Sequence, residues 1–511
     1  MKSLTKKELI DFFLEKGILV TPDLLESAQN KSREELSLLC QQKGLLVLNK
    51  EVSQQRDIKE GVDWKEVEKG MVGSDRGEKD VEYLNDLKKP KIEDVQVLFS
   101  YEESGNKPTV QDFCAYFNNR LEAIEAMLAT RKELQKLMSI NKILQKKERE
   151  SISLIGMIQD IVVTKNGNIL LTLEDTTGVI KVLIHKNHPE LLTLAKNLVL
   201  DEVIGINGVT GKGIVFCNTI IQPDIPLTKE FKKGREEDHV IFLSDLHVGS
   251  TYFLEGAFKK FLGWINQESG SETQKELAKK VKYIFIIGDL IDGVGIYPNQ
   301  ESELKVPDVR EQYQQCAELL SKIPEHIQVI ICGGNHDALR LSEPQPPLSK
   351  DYAKPIWELP HVTMVSNPSY VRIGANEEFQ GFDVLLYHGY SFDYYIAQVD
   401  SIRNSGGYDR ADLIMKFLLQ KRHLAPSHTS TLYIPDKRKD YLVIDRVPDF
   451  FVTGHIHKTS VSQYRNVTLI CGSCWQSTTS FQEKLGHHPE PCRVPIVNLK
   501  NRQVKVLRFE E

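Results

Sequence analysis

Val240-Ile-Phe-Leu-Ser-Asp245-Leu-His247, Tyr283-Ile-Phe-Ile-Ile-Gly-Asp289, Val329-Ile-Ile-Cys-Gly-Gly-Asn335-His336-Asp337 and Phe450-Phe-Val-Thr-Gly-His455-Ile-His457 share one plan. A short apolar run ends in a small residue and then in Asp, Asn or His. Val384-Leu-Leu-Tyr leads to His388 in the same way. Hydrophobic strands with polar residues at their C-terminal ends are how α/β sheets assemble a site in a crevice. A single Gly-Asp or Asn-His is more often a turn than a ligand. Five such tips in one chain, each following an apolar strand, are hard to attribute to turns. If the tips stay extended, residues i and i+2 point the same way, so Asp245 with His247, and His455 with His457, can share one target. The inventory is two Asp, four His and one Asn, without Cys. That set suits a pair of hard to borderline divalent cations better than one tetrahedral structural zinc.

In this order Asp245-x-His247, Gly288-Asp289, Gly334-Asn335-His336-Asp337, His388 and Gly454-His455-x-His457 resemble the calcineurin-like metallophosphoesterase superfamily. The resemblance runs from residue 238 to the C-terminus. It implies a four-layer α/β/β/α domain over 238–511. Phosphatases, cyclic-nucleotide phosphodiesterases and nucleases all belong to that superfamily, so the motif fixes the reaction and not the substrate.

The preceding stretch narrows the substrate. Ile169, Leu171 and Leu173 alternate with Leu170, Thr172 and Glu174; Asp175-Thr-Thr-Gly178 supplies a turn; Ile180, Val182 and Ile184 resume the period of two. With Val203-Ile-Gly-Ile-Asn-Gly208 and Gly213-Ile-Val-Phe216 they predict a small OB-fold barrel over 151–228, a fold that often binds single-stranded nucleic acid. Few aromatics and no dense basic stripe accompany these strands, so a packing role stands beside the binding one. A mixed-charge connector, Lys229 to Asp238, joins the barrel to the catalytic domain.

An OB-like barrel joined to a phosphoesterase resembles the small subunit of archaeal family D DNA polymerase. The resemblance covers about residues 96–511, through Val110-Gln-Asp-Phe-Cys-Ala-Tyr-Phe117, Leu173-Glu-Asp-Thr-Thr-Gly178, Asp245-Leu-His-Val-Gly-Ser250, Arg422-His-Leu-Ala-Pro426 and Trp475-Gln-Ser-Thr-Thr-Ser-Phe-Gln482. It implies a two-metal 3′–5′ exonuclease that proofreads single-stranded or mismatched primer ends beside a large polymerase subunit. By the same resemblance Asp289 bridges two divalent ions. Mn²⁺ is expected, with Mg²⁺, Fe²⁺ or Zn²⁺ as alternatives. Asp245, His247 and His457 complete one ion, and Asn335, His388 and His455 the other. His336 is the catalytic residue facing the scissile phosphate, while Asp292 and Asp337 orient imidazoles from behind or serve as turn and cap residues. Two readings compete: a scaffolding subunit that turns over poorly, and a free-standing phosphoesterase acting on nucleotides or phosphoproteins. His423, His428, His487 and His488 lack ligand-like spacing and read as surface or substrate-adjacent residues.

Composition agrees with a multi-domain α+β protein. Across 511 residues the net charge is −6, so no global basic character draws the chain onto DNA. No apolar run reaches a membrane span, and Met1-Lys-Ser-Leu-Thr-Lys-Lys-Glu8 has no signal-peptide core. The eight scattered Cys suit a reducing cytoplasm. Cys471-Gly-Ser-Cys474 has no second CxxC to complete a zinc site and reads as buried structure, with a redox pair as the alternative.

Residues 1–46 read as a small helical domain with Leu9, Phe12, Phe13, Leu24 and Leu25 as core candidates. Residues 6–13 also resemble a sliding-clamp binding motif, with Lys where Gln is usual; the helix-core reading is the stronger. Residues 47–95, rich in charge and poor in aromatics, read as a flexible linker. Residues 96–150 read as a helical segment on the core, with a capping box at Thr109-Val-Gln-Asp112 and a stripe of Phe113, Phe117, Leu121, Ile124 and Leu128.

Overall fold

Apolar strands that face two cores explain why the decisive runs are hydrophobic at every position. In β7 (His239–Leu243), Val240 and Phe242 point to one core, and Ile241 and Leu243 to another. The same split divides Phe285 from Ile286 in β8 (Val281–Ile287) and Ile330 from Ile331 in β9 (Gln328–Cys332). A period of two buried on both sides leaves no polar face to read.

The computed structural model describes residues 94–510, apart from 104 and 106. Two six-stranded sheets carry the site. One runs β10 (Val362–Met364), β9, β8, β7, β16 (Arg493–Asn498), β17 (Val504–Arg508). The other runs β1 (Val95–Ser100), β11 (Ser369–Ile373), β12 (Phe382–Leu386), β13 (Phe450–Thr453), β15 (Val467–Cys471), β14 (Ser460–Tyr464). Phe242, Phe285, Val384 and Phe450 fill the space between the sheets. Outside the first, the helices Glu255–Ile265 and Val309–Leu320 pack on Ile241, Ile284 and Val329. Outside the second, Ala411–Lys421 packs on Phe451 and Leu469. Helices thus cover both outer faces of a two-sheet sandwich.

Strands β2 (Ser151–Val163), β3 (Ile169–Asp175), β4 (Gly178–Ile184), β6 (Ile214–Ile221) and β5 (Val203–Thr210) close a barrel in that order. Ile169, Leu171, Leu173, Ile180, Val182 and Ile184 point into its core. The helix Val110–Ala129 starts at a capping box in which Thr109 and Asp112 satisfy each other's backbone amides. It buries Leu121, Ile124 and Leu128 with Met157 and Val203 of the barrel, whereas Phe113 stays 41% exposed.

Buried ion pairs tie barrel and helix to the catalytic sandwich. Lys421 Nζ lies 2.6 Å from Glu202 Oε2 with both side chains sealed from solvent. Arg120 Nε donates to Asp440 Oδ2 at 2.7 Å, and His423 Nε2 meets the same oxygen at 2.8 Å. His423 is therefore an internal group and not the surface residue its spacing suggested.

The segment expected to be helical over 96–150 opens instead on β1, which pairs antiparallel with β11, Val95 opposite Ile373. Its partner lies far along the chain, and it covers an edge whose backbone groups would otherwise stay open. The proposed 1–46 helical domain, the clamp-like stretch 6–13 and nearly all of the 47–95 linker lie outside the described residues; Val95, given to the linker, is the first residue of β1. Among the described residues no helix is long and apolar enough to cross a membrane.

Candidate metal centre

β7, β8 and β9 run parallel, as do β12 and β13, so the C-terminal tips in each sheet emerge on one side. Asp245, His247, Asp289, Asn335, His336, His388, His455 and His457 all sit on these tips. The donor atoms of Asp245, His247 and His457 lie within 4.8 Å of one another, and so do those of Asp289, His388 and His455. His247 Nε2 stands 3.0 Å from His457 Nε2, and Asp289 Oδ2 3.3 Å from His388 Nε2. Asn335 Oδ1 lies 3.0 Å from both His388 Nε2 and His455 Nδ1, which places it in the second group.

The tips do not stay extended. Asp245, His247, Asp289, His455 and His457 all have positive φ, between 51° and 72°. Left-handed backbone is uncommon for residues with a Cβ and concentrates at functional sites. Alternation along an extended strand therefore does not govern where these side chains aim. His455 and His457 fall in different groups, the division the family resemblance implies, and the i, i+2 alternation that would let them share one target does not apply. Close approach explains the motif glycines: a Cβ on Gly454 would stand 2.5 Å from Asp245 Oδ2, and one on Gly334 would collide with Asp289 Oδ1.

Three imidazoles are held from behind by acceptors. Asp292 Oδ1 lies 3.2 Å from His247 Nδ1, the Ile287 carbonyl 2.9 Å from His388 Nδ1, and Asp393 Oδ2 2.8 Å from His455 Nε2. Each acceptor keeps a proton on the outer nitrogen and turns the other, with its lone pair, toward the group, the arrangement a ligating histidine requires. His457 is met at Nδ1 by the Gln482 amide, 3.1 Å away. Backbone amides aim the carboxylates: His455 N donates to Asp245, and His336 N to Asp289 Oδ1 at 2.8 Å. Burial opposes charge on Asp289, but His388 and His336 hold it well below the usual carboxylate range. Burial likewise opposes protonation of His388, which Asp289 and Asp245 reverse, lifting it to about 10. A divalent cation held there would take the place of that proton, since an imidazole ligates only in its neutral form.

His336 shares a third such group with His247 and Asp292 but differs from the rest in its outer contact. Its Nδ1 is 2.8 Å from the Asp292 carbonyl, which fixes the proton there and leaves Nε2 toward a cleft of about 380 Å³. Burial pushes its pKa down despite Asp289. Of the two roles open to Asp337, the contacts match the turn role: it accepts from the amide of Gly334 at 2.9 Å and the hydroxyl of Tyr313 at 3.1 Å. It shapes the Asn335 loop and touches no histidine, because its side chain turns back under its own tip. Burial and Asp289 raise it to about 7. Cys471 and Cys474 are buried and unbridged; burial pushes the Cys471 thiol up to about 12.

Residues 239–459 match the family model of the calcineurin-like phosphoesterases. The chain is 38% identical over 401 residues to the DNA polymerase II small subunit of Methanothermobacter thermautotrophicus, covering 78% of this chain and 80% of that one. The chain belongs to the archaeal DNA polymerase II small-subunit family. Proteins of the same description from Archaeoglobus fulgidus and Methanocaldococcus jannaschii are 36% and 38% identical, with 79% and 64% of their lengths covered.

In this family member, sequence reading missed Asp393, Gln476 and Gln482. Gln476 Nε2 donates to Asp292 Oδ1 at 2.8 Å, so it steadies the carboxylate behind His247. Gln476 and Gln482 lie within a stretch already tied to the family, which was a usable signal. Asp393, on the helix Phe392–Gln398, carried none.

Proposed function

We propose that the chain is the exonuclease subunit of a two-subunit replicative polymerase. In this reading it removes nucleotides in the 3′–5′ direction from single-stranded or mismatched primer ends. The observation that carries this is the convergence of the two donor groups, with His336 beside both on an open cleft. The donor set is imidazole, carboxylate and amide oxygen, which fits two divalent ions, Mn²⁺ first among them. When bound, such ions neutralise phosphate charge and make water a nucleophile near neutral pH.

Asp245 and Asp289, kept ionised, supply the negative charge that such ions need. Asp292, Asp393 and the Ile287 carbonyl hold the imidazoles in place. His336 presents Nε2 to the cleft; protonated there, it delivers the proton to the 3′-oxygen as the P–O3′ bond breaks. Water oxygen forms the new bond to phosphorus, so the terminal nucleotide departs as a 5′-monophosphate and the strand keeps a 3′-hydroxyl. The closed five-stranded barrel is read as an OB-fold. Its neighbourhood to the catalytic sandwich, and the small-subunit descriptions of the relatives, support a large partner that brings the primer end.

The test is release of 5′-mononucleotides from the 3′ end of single-stranded DNA by purified protein, with Mn²⁺ and with chelator. No release with Mn²⁺ would favour a scaffold, and release unchanged by chelator would remove the metal assignment. Gel filtration with the large subunit is expected to give a complex that stimulates cutting of long primer-template DNA more than of a short strand. Absence of that complex would favour a solitary phosphoesterase.

A further inference from the structure

Two aromatic rings meet at the rim of the cleft. Tyr297 and Phe481 stack with centroids 5.2 Å apart and planes 19° from parallel. Both line the same hollow as Asp289, Asn335 and His336, and the Tyr297 and His336 rings are 6.3 Å apart. Phe481 is 37% exposed, a large apolar surface left open beside charged groups.

Neither ring is loosely placed. The Tyr297 hydroxyl donates to Glu303 Oε2 at 3.0 Å. Its loop is drawn in by Gln300, which accepts from Ile296 N at 2.8 Å and donates to Asp292 Oδ2 at 3.0 Å. Asp292 is the residue that holds His247 and receives His336. Phe481 precedes Gln482, whose amide touches His457. Each ring is thus tied to an imidazole of the centre, Phe481 through Gln482 and the Tyr297 loop through Gln300 and Asp292, so its distance from the reacting phosphate is set by the same contacts.

The geometry points to the Tyr297–Phe481 pair as the platform on which the base of the departing nucleotide stacks. This rests on the exonuclease reading above. Every base has a π-face, so stacking tolerates all sequences, as a proofreader requires. A base can reach the platform only after leaving its partner strand, so the pair selects unpaired ends over paired ones.

Binding and turnover test this separately. A short oligonucleotide carrying 2-aminopurine at its 3′ end, mixed with the full chain without added metal, is expected to be quenched by stacking. Phe481→Ala should abolish the quenching and weaken binding about 5-fold or more, whereas Tyr297→Phe should retain both. With Mn²⁺, wild type should prefer a 3′ end that bears a base over an abasic one, mainly through KM, and Phe481→Ala should lose that preference. Equal quenching in wild type and Phe481→Ala, or an unchanged preference, would overturn the platform. Quenching that depends on Phe481, without any hydrolysis in Mn²⁺, would leave the platform standing and remove the exonuclease reading.

Discussion

Asp393→Asn isolates one half of the centre. The substitution keeps the shape of the side chain but removes its charge, leaving an amide 2.8 Å from His455 Nε2. Hydrogen bonds to charged groups are worth about 1.5–3 kcal/mol, and the Asp393 side chain is 47% exposed, which favours the lower half of that range. About 1.5–2 kcal/mol corresponds to roughly 10- to 30-fold in affinity. Among the candidate donors Asp393 meets His455, so an ion held by Asp289, Asn335, His388 and His455 should weaken by that factor while one at Asp245, His247 and His457 holds. Asp292→Asn makes the complementary case. It faces His247, is fully buried, and should cost nearer 100-fold at the other ion. Isothermal titration with Mn²⁺, read as two binding phases and checked by metal analysis after desalting, measures both. Equal weakening of both phases by Asp393→Asn, or none, would refute the assignment of His455 to one ion and of Asp393 to His455.

A bridging role for the Asp289 carboxylate would make Asp289→Asn lower occupancy of both ions together; metal analysis that finds two ions retained removes that role. His336→Ala is expected to cut exonuclease turnover by about 10²–10⁴-fold with metal content kept, and a parallel fall in metal would make it a ligand. Lys421→Met strands the buried Glu202 carboxylate and should destabilise the protein by about 3–5 kcal/mol, whereas adding Glu202→Leu should restore most of it; chemical denaturation of the three variants decides. His423, lowered to about 4 by burial and by Arg120, binds protons more readily unfolded than folded. Its contribution, about 3 kcal/mol, is complete above about pH 6.5 and lost as pH falls toward 4. A His423→Gln variant whose stability falls as steeply as wild type across that window would count against this.

The candidate donor positions stood out in the sequence because each follows a strand buried on both faces. Such runs stand out as unbroken hydrophobic stretches, and the first polar residues after them fall on the sheet edge. Their grouping was legible from the family resemblance and not from residue spacing. The i, i+2 argument assumes extended backbone, and Asp245, His247, His455 and His457 leave it for the left-handed region, which no residue spacing reveals. Asp393 was invisible for a different reason: it touches His455 across 62 positions, from a helix without a motif. Strand β1 was missed because its edge pairing to β11 is a long-range event, while the residues around it carry only local helix signals.

Positive φ at five of the donor residues sets stability and chemistry in opposition. Each such backbone costs roughly 1 kcal/mol or more for a residue with a Cβ, and glycine would relieve it. Asp289→Gly or His457→Gly should therefore ease the backbone at its own position while deleting a donor. Glycine would be the easier residue for the backbone at each of these positions, so folding alone does not account for Asp and His there. A lineage that kept this subunit for assembly alone would drift toward Gly and Asn at these five positions. The identity of those residues is thus a record, readable from sequence, of whether the chain is still selected for its chemistry.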